Sequence, residues 1–175
     1  MNVLKALLIL AAGLMMTLVV FPWLDALRDS IYHPVTPALH EYIMEGDDAD
    51  VEVNSDNWAA QAFTVSVGYR LTGVQVKVWD SGGTGTLTVA VYAADGEGYP
   101  TGAALVSATV SSLLISNSTP GEFEVVSFGD DAIDVEVSDY DVVLHYAGSG
   151  VVYWRVISGA TGYAYSTDGG SSWSH

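Results

Sequence analysis

Period-two alternation of apolar and polar residues recurs through residues 51–175 and constrains the fold more than any other feature of the sequence. The apolar positions of three such segments are Phe63, Val65 and Val67; Val74, Val76 and Val78; and Leu87, Val89 and Val91. In the second segment, Gln75, Lys77 and Trp79 fall on the opposite face. Side chains alternate across a strand, so each segment is predicted to be a half-buried strand. Eight or nine such segments, with no helical segment between them, predict an all-β domain.

The specific arrangement predicted for this domain is an antiparallel β-sandwich of the jelly-roll type. An immunoglobulin-like sandwich is the alternative, although no Cys…Trp…Cys signature supports it. The chain has no cysteine at all, which excludes disulfides and thiolate metal sites. The sandwich is expected to occupy residues 51–175.

A run of 19 uncharged residues, 6–24, precedes the β domain and matches the length needed to cross a bilayer as a helix. Residues 1–24 are therefore predicted to form a transmembrane or assembly helix. A cleaved signal peptide is the alternative, but the bulky Phe21-Pro22-Trp23 segment does not resemble a signal-peptidase site. Trp23 is predicted to anchor the helix at the membrane interface.

The flanks of this helix suggest its orientation. Lys5 precedes it and Asp25, Asp29, Glu41 and Glu45 follow it, so the positive-inside rule predicts an inner N-terminus and an outer β domain. Residues 25–50 are expected to be a short helical stalk and an acidic linker. Through residues 1–44 the expected partners are a lipid bilayer, other copies of the chain, or shell proteins.

The formal net charge of −16, from 21 acidic and 5 basic residues, limits the other partners. A phosphate-binding surface needs clustered cations, and after residue 45 the chain has only Arg70, Lys77 and Arg155. Nucleic acid is therefore not expected as a partner.

Several segments in order carry a resemblance to a known class of module. They are LTGVQVKV, GTLTVAVYAADGEGYPTG, YDVVLHY, VVYWRVI and the final YSTDGGSSW. The chain resembles the lectin-like jelly-roll modules of microbial and viral surface proteins. The resemblance covers residues 51–175 and implies a sandwich used for display or adhesion, and in some cases for glycan binding.

The segment Ser166–Trp173 is similar to the Asp-box of the sialidase family, S-x-D-x-G-x-x-W, with Asp168, Gly170 and Trp173 at the defining positions. In that family the motif is a structural turn, in which the Asp accepts backbone N–H bonds and the Trp packs beneath the hairpin. The same role is expected here.

Two sets of residues are candidates for ligand binding. Exposed aromatic rings stack on sugars, and the candidates are Tyr92, Tyr99, Tyr153 and Trp154. Adjacent Tyr153 and Trp154 must face opposite sides of a strand, and core packing is the alternative role for all four. Loop carboxylates bind Ca²⁺, the one candidate cofactor, and Asp47, Asp48 and Asp50 form such a cluster, although solvated linker charge is the favoured interpretation of these residues.

These features predict a non-enzymatic structural surface protein, because no nucleophile, phosphate-binding or dinucleotide motif is present. A virion membrane or capsid-associated protein and a pilin-like filament subunit both fit. A tethered carbohydrate-binding module and a secreted hydrolase are the alternatives.

Overall fold

The computed structural model describes residues 47–157 and 162–175. Within these residues the chain forms β-strands joined by turns and two short 3-10 segments. The strands are β1 (Asp47–Val53), β2 (Trp58–Val65), β3 (Tyr69–Leu71), β4 (Gly73–Asp80), β5 (Thr84–Ala94), β6 (Pro100–Ser111), β7 (Glu122–Ser127), β8 (Ile133–Val135), β9 (Ser138–Ser149), β10 (Val152–Ile157) and β11 (Tyr163–Ser166). The predicted all-β class is confirmed.

The strands form a four-stranded sheet, β1-β10-β4-β7, a five-stranded sheet, β11-β2-β9-β5-β6, and a small β3-β8 pair. Every pairing is antiparallel. The predicted helix at residues 1–24, the stalk and Trp23 lie outside the described residues. In the part of the chain that is described, no helix is long and apolar enough to span a bilayer.

The two larger sheets pack face to face through the apolar positions of their strands. The main core contains Val53, Val76, Val78, Val126, Val152 and Trp154 from the four-stranded sheet, and Ala59, Leu87, Val89, Leu144 and Tyr146 from the five-stranded sheet. A second cluster includes Val65, Val91, Phe128, Val135 and Tyr140. The alternation read from the sequence thus supplies both inner faces of an antiparallel sandwich.

Two sequence-based assignments differ from the structure. The sandwich begins at Asp47 rather than at residue 51, because β1 pairs along β10 from Asp47↔Ile157 to Val53↔Val152. The acidic composition of residues 47–50 resembles that of a linker, but these residues form part of β1. Val67 is 74% exposed, because β2 ends at Val65 and the alternation has no structural meaning beyond that point.

Candidate functional site

The four aromatic residues predicted to bind sugar do not form one surface. Trp154 lies in the core at 7% exposure and is removed from the candidates. Its neighbour Tyr153 lies on the outer face of the four-stranded sheet, where β10 pairs it with Trp79. Tyr92 and Tyr99 are half-buried against a small cluster on the outer face of the five-stranded sheet. The structure therefore separates the predicted residues among three regions.

The outer face of the four-stranded sheet brings together three aromatic side chains with two of the three Lys and Arg side chains of the described residues. We call this surface the aromatic face. Its residues are Asp50 and Glu52 on β1, Tyr153 and Arg155 on β10, Gln75, Lys77 and Trp79 on β4, and Phe123 and Val125 on β7. They alternate with the core residues of the same strands, which fixes their direction.

A stacked aromatic pair lies on this face. The rings of Trp79 and Tyr153 have centroids 4.2 Å apart and planes inclined by 12°. Trp79 Nε1 donates to Asp50 Oδ1 at 3.0 Å, and Arg155 Nη1 donates to the same oxygen at 2.9 Å. The Arg155 side chain is only 12% exposed, so this ion pair is better shielded from water than a typical surface pair. Asp50 therefore fixes both the indole and the guanidinium.

The far edge of the aromatic face is apolar. Phe123 is 48% exposed and Val125 is 71% exposed on edge strand β7. Lys77 Nζ lies 5.6 Å from the centre of the Phe123 ring, within the range of a cation–π contact. Sequence reasoning missed Trp79 and Phe123 as site residues. The placement of Trp79 opposite Val74, Val76 and Val78 was the signal that could have identified it.

Of the three residues in the candidate calcium cluster, Asp50 alone has a side chain that the structure describes. The side chains of Asp47 and Asp48 lie outside the described set, whereas Asp50 is engaged by Arg155 and Trp79. Among the described residues, no group of three or more His, Asp or Glu side chains is arranged to hold a metal ion.

The outer face of the five-stranded sheet holds an unusual carboxylate. Asp141 is 0% exposed, and neither of its oxygens has a hydrogen-bond partner. It lies on β9 between Ala62 and Tyr92 of the adjacent strands. Burial, followed by the charge of Asp95, raises the pKa of Asp141 to about 7. Protonation removes the negative charge of Asp141, so it reduces the free-energy cost of burying this side chain away from water.

His175 and Asp141 interact electrostatically. The charge of His175 lowers the pKa of Asp141, and the charge of Asp141 raises the pKa of His175. Its Nδ1 is 2.8 Å from the carbonyl oxygen of Tyr163, and its Nε2 is 3.4 Å from that of Glu97. The ring also stacks on Tyr99, with centroids 4.5 Å apart. Carbonyls only accept hydrogen bonds, so both contacts are satisfied only by the protonated ring. Both hydrogen bonds raise the pKa of His175, and the bond to the Tyr163 carbonyl has the larger effect.

The turn at Ser166–Trp173 is closed by Asp168. Its Oδ1 accepts from the backbone N–H groups of Ser171 and Ser172 at 3.0 and 2.8 Å, and its Oδ2 accepts from Ser172 Oγ at 2.7 Å. These bonds, led by that of the Ser172 hydroxyl, lower the pKa of Asp168 to about 2. Trp173 packs against the cluster of Ala60, Val143 and Ala164.

Gly170 of the same turn approaches Trp58 closely. A Cβ atom at Gly170 would lie 2.6 Å from the Trp58 ring, and the residue has φ of +83°. The indole also stacks on His145, with centroids 4.2 Å apart. The turn thus fastens residues 166–175 onto the outer face of the five-stranded sheet.

No family model, curated protein or solved structure matches the chain.

Proposed function

We propose that the chain is a non-enzymatic structural surface protein. Residues 1–44 anchor it in a membrane or particle shell, and the β-sandwich is displayed outward, on a virion or as a subunit of a pilin-like filament. The observation that carries the proposal is the exposure of Leu113 and Leu114, at 80% and 74%, on the turn between β6 and β7. These adjacent leucines place apolar surface on a chain of net charge −16, and such surface supports a protein contact at this turn.

The strand order supports a jelly-roll arrangement. If the short strands β3 and β8 and the last strand β11 are set aside, eight strands remain. Counted along the chain, the first, eighth, third and sixth of these strands form one sheet, β1-β10-β4-β7. The second, seventh, fourth and fifth form the other, β2-β9-β5-β6. Paired Greek keys produce this order, and jelly rolls recur in viral capsid and lectin domains.

Display accounts for the described sandwich better than hydrolysis does. Asp141, with a pKa near 7, has the acidity of a general acid. Its side chain is fully buried, however, so a substrate has no access to it without movement of the covering segments.

The proposal is tested by the mass and sedimentation of the full chain extracted from its native membrane or particle in mild detergent. We expect a defined oligomer that retains residues 1–24. The double change Leu113→Ser and Leu114→Ser should shift it to smaller species, whereas Val125→Ser, which alters an equally exposed apolar residue elsewhere, should not. A soluble monomer that lacks residues 1–24 would overturn the proposal.

A further inference from the structure

We infer that the aromatic face is a binding site for a neutral glycan, which stacks on the Trp79–Tyr153 pair and on Phe123. The inference goes beyond display, because an anchored structural protein needs no ligand. It also concerns a different surface from the Leu113–Leu114 turn.

The spacing of the rings suits an extended ligand. Register places Trp79 opposite Tyr153, and Lys77, two residues from Trp79 on the same face, opposite Phe123. Trp79 and Phe123 are therefore diagonal neighbours on adjacent strands, a relation in which the residues lie about 7–8 Å apart across the sheet. Apolar ring surface is offered at two separate points on one sheet, as a chain of sugar rings with apolar faces requires.

Polar groups lie beside these rings and match the chemistry of sugar hydroxyls, which both donate and accept hydrogen bonds. Glu52 pairs with Tyr153 and supplies carboxylate acceptors, and the exposed Gln75 amide supplies a donor and an acceptor. Asp50 holds Trp79 and Arg155 in fixed positions. A site that is ordered before binding loses less conformational entropy when the ligand arrives.

Charge distinguishes a neutral glycan from other partners. Two of the three Lys and Arg side chains in the described residues, Lys77 and Arg155, lie on this face beside Asp50 and Glu52. The two positive and two negative charges on the aromatic face therefore balance each other, although the whole chain has a net charge of −16. Anionic polymers are repelled by the net charge, whereas a neutral ligand is not.

The edge of the sheet is protected against a rival mode of binding. On edge strand β7, Glu122 and Glu124 pair with the core residues Val78 and Val76, so both glutamates lie on the core side of the strand. Inward-directed charges at an edge oppose the addition of another strand. A ligand can thus contact the exposed side chains of Phe123 and Val125 on the outer face of β7, whereas strand addition along the β7 backbone is opposed.

The test is affinity electrophoresis of the full chain in mild detergent, through native gels that contain mannan, galactan or a soluble β-glucan, with dextran sulfate as the anionic comparison. We expect retardation by at least one neutral polysaccharide and none by dextran sulfate. Trp79→Ala and Phe123→Ala should each weaken binding about tenfold, the equivalent of roughly 1.4 kcal/mol. Tyr165→Ala, which removes a 42% exposed ring outside this face, should leave binding unchanged.

Circular dichroism and urea midpoints verify that the variants are folded, and Phe123→Ala keeps the test decisive if Trp79→Ala does not fold. The inference is overturned if no neutral polysaccharide retards the protein, if only dextran sulfate does, or if neither ring variant changes the retardation. Because the oligomer test depends on Leu113 and Leu114, failure of glycan binding leaves the display proposal intact, and the reverse also holds.

Discussion

Replacement of Asp141 by Asn should stabilise the protein at neutral pH. The side chain is fully buried without a hydrogen bond, and the pKa of its carboxyl group rises from 3.8 to about 7 on folding. Between these two values the folded state binds more protons than the unfolded state, so stability falls as the pH rises. Below pH 3.8 the stabilisation that protonation provides is complete, and it is lost as the pH rises through about 7.

The size of the effect follows from the pKa difference. One pKa unit corresponds to about 1.4 kcal/mol. Relative to low pH, the titration of Asp141 therefore lowers the free energy of unfolding by about 4 kcal/mol at about pH 8, and by about 1.5 kcal/mol at about pH 5, where the carboxyl group is ionised mainly in the unfolded state. Asn has nearly the shape of the protonated acid and no charge. The advantage of Asp141→Asn should therefore grow by about 2.5 kcal/mol between these two pH values.

The assay is urea unfolding of the full chain in mild detergent, followed by tryptophan fluorescence across this pH range. Asp130→Asn, which removes a carboxylate from an exposed 3-10 turn, is the matched control and should show no such growth. If Asp141→Asn is no more stabilising at the higher pH, or is destabilising there, the buried carboxylate is stabilised by a bound group and the reasoning is refuted.

Two further predictions concern the turn that fastens residues 166–175. Gly170→Ala should reduce the free energy of unfolding by about 2–3 kcal/mol, because its Cβ would lie 2.6 Å from the Trp58 ring and φ is +83°. Urea unfolding should show almost no change for the control Gly96→Ala, where a Cβ meets nothing within 4 Å; equal effects would exclude the contact as the cause. Asp168→Ala should lower the urea midpoint at neutral pH. Folding lowers the pKa of Asp168 from 3.8 to about 2, so its carboxylate stabilises the fold above pH 3.8. This stabilisation is lost as the pH falls through about 2. A midpoint difference from the wild type that persists unchanged below pH 2 would show that the charge of Asp168 does not contribute.

Strand periodicity in the sequence predicted the all-β fold because each apolar alternation is a local property. Leu87, Val89 and Val91 face the core as expected, and each is 0% exposed. β1 was missed because acidic residues alternate with Val51 and Val53 there, and acidic composition resembles that of a linker. The pairing that turns Asp50 into a partner of Arg155 joins residues 105 positions apart, which no local pattern indicates.

The candidate site was predicted only in part for the same reason. Alternation placed Trp79 on the side opposite the core, and it required that Tyr153 and Trp154 point in opposite directions. Which of the two faced outward depended on the pairing of β10 with β4, a long-range contact. The burial of Asp141 depends on the packing of segments distant in sequence, so no pattern in β9 indicated its raised pKa.

The position of His175 has a practical consequence for attaching the protein to a support. Its ring contacts the carbonyls of Tyr163 and Glu97 and the ring of Tyr99, on the outer layer of the five-stranded sheet. The aromatic face belongs to the opposite layer of the sandwich. A sensor chip or bead coupled through a linker that follows His175 would therefore hold the protein with Trp79 and Phe123 directed toward the solution.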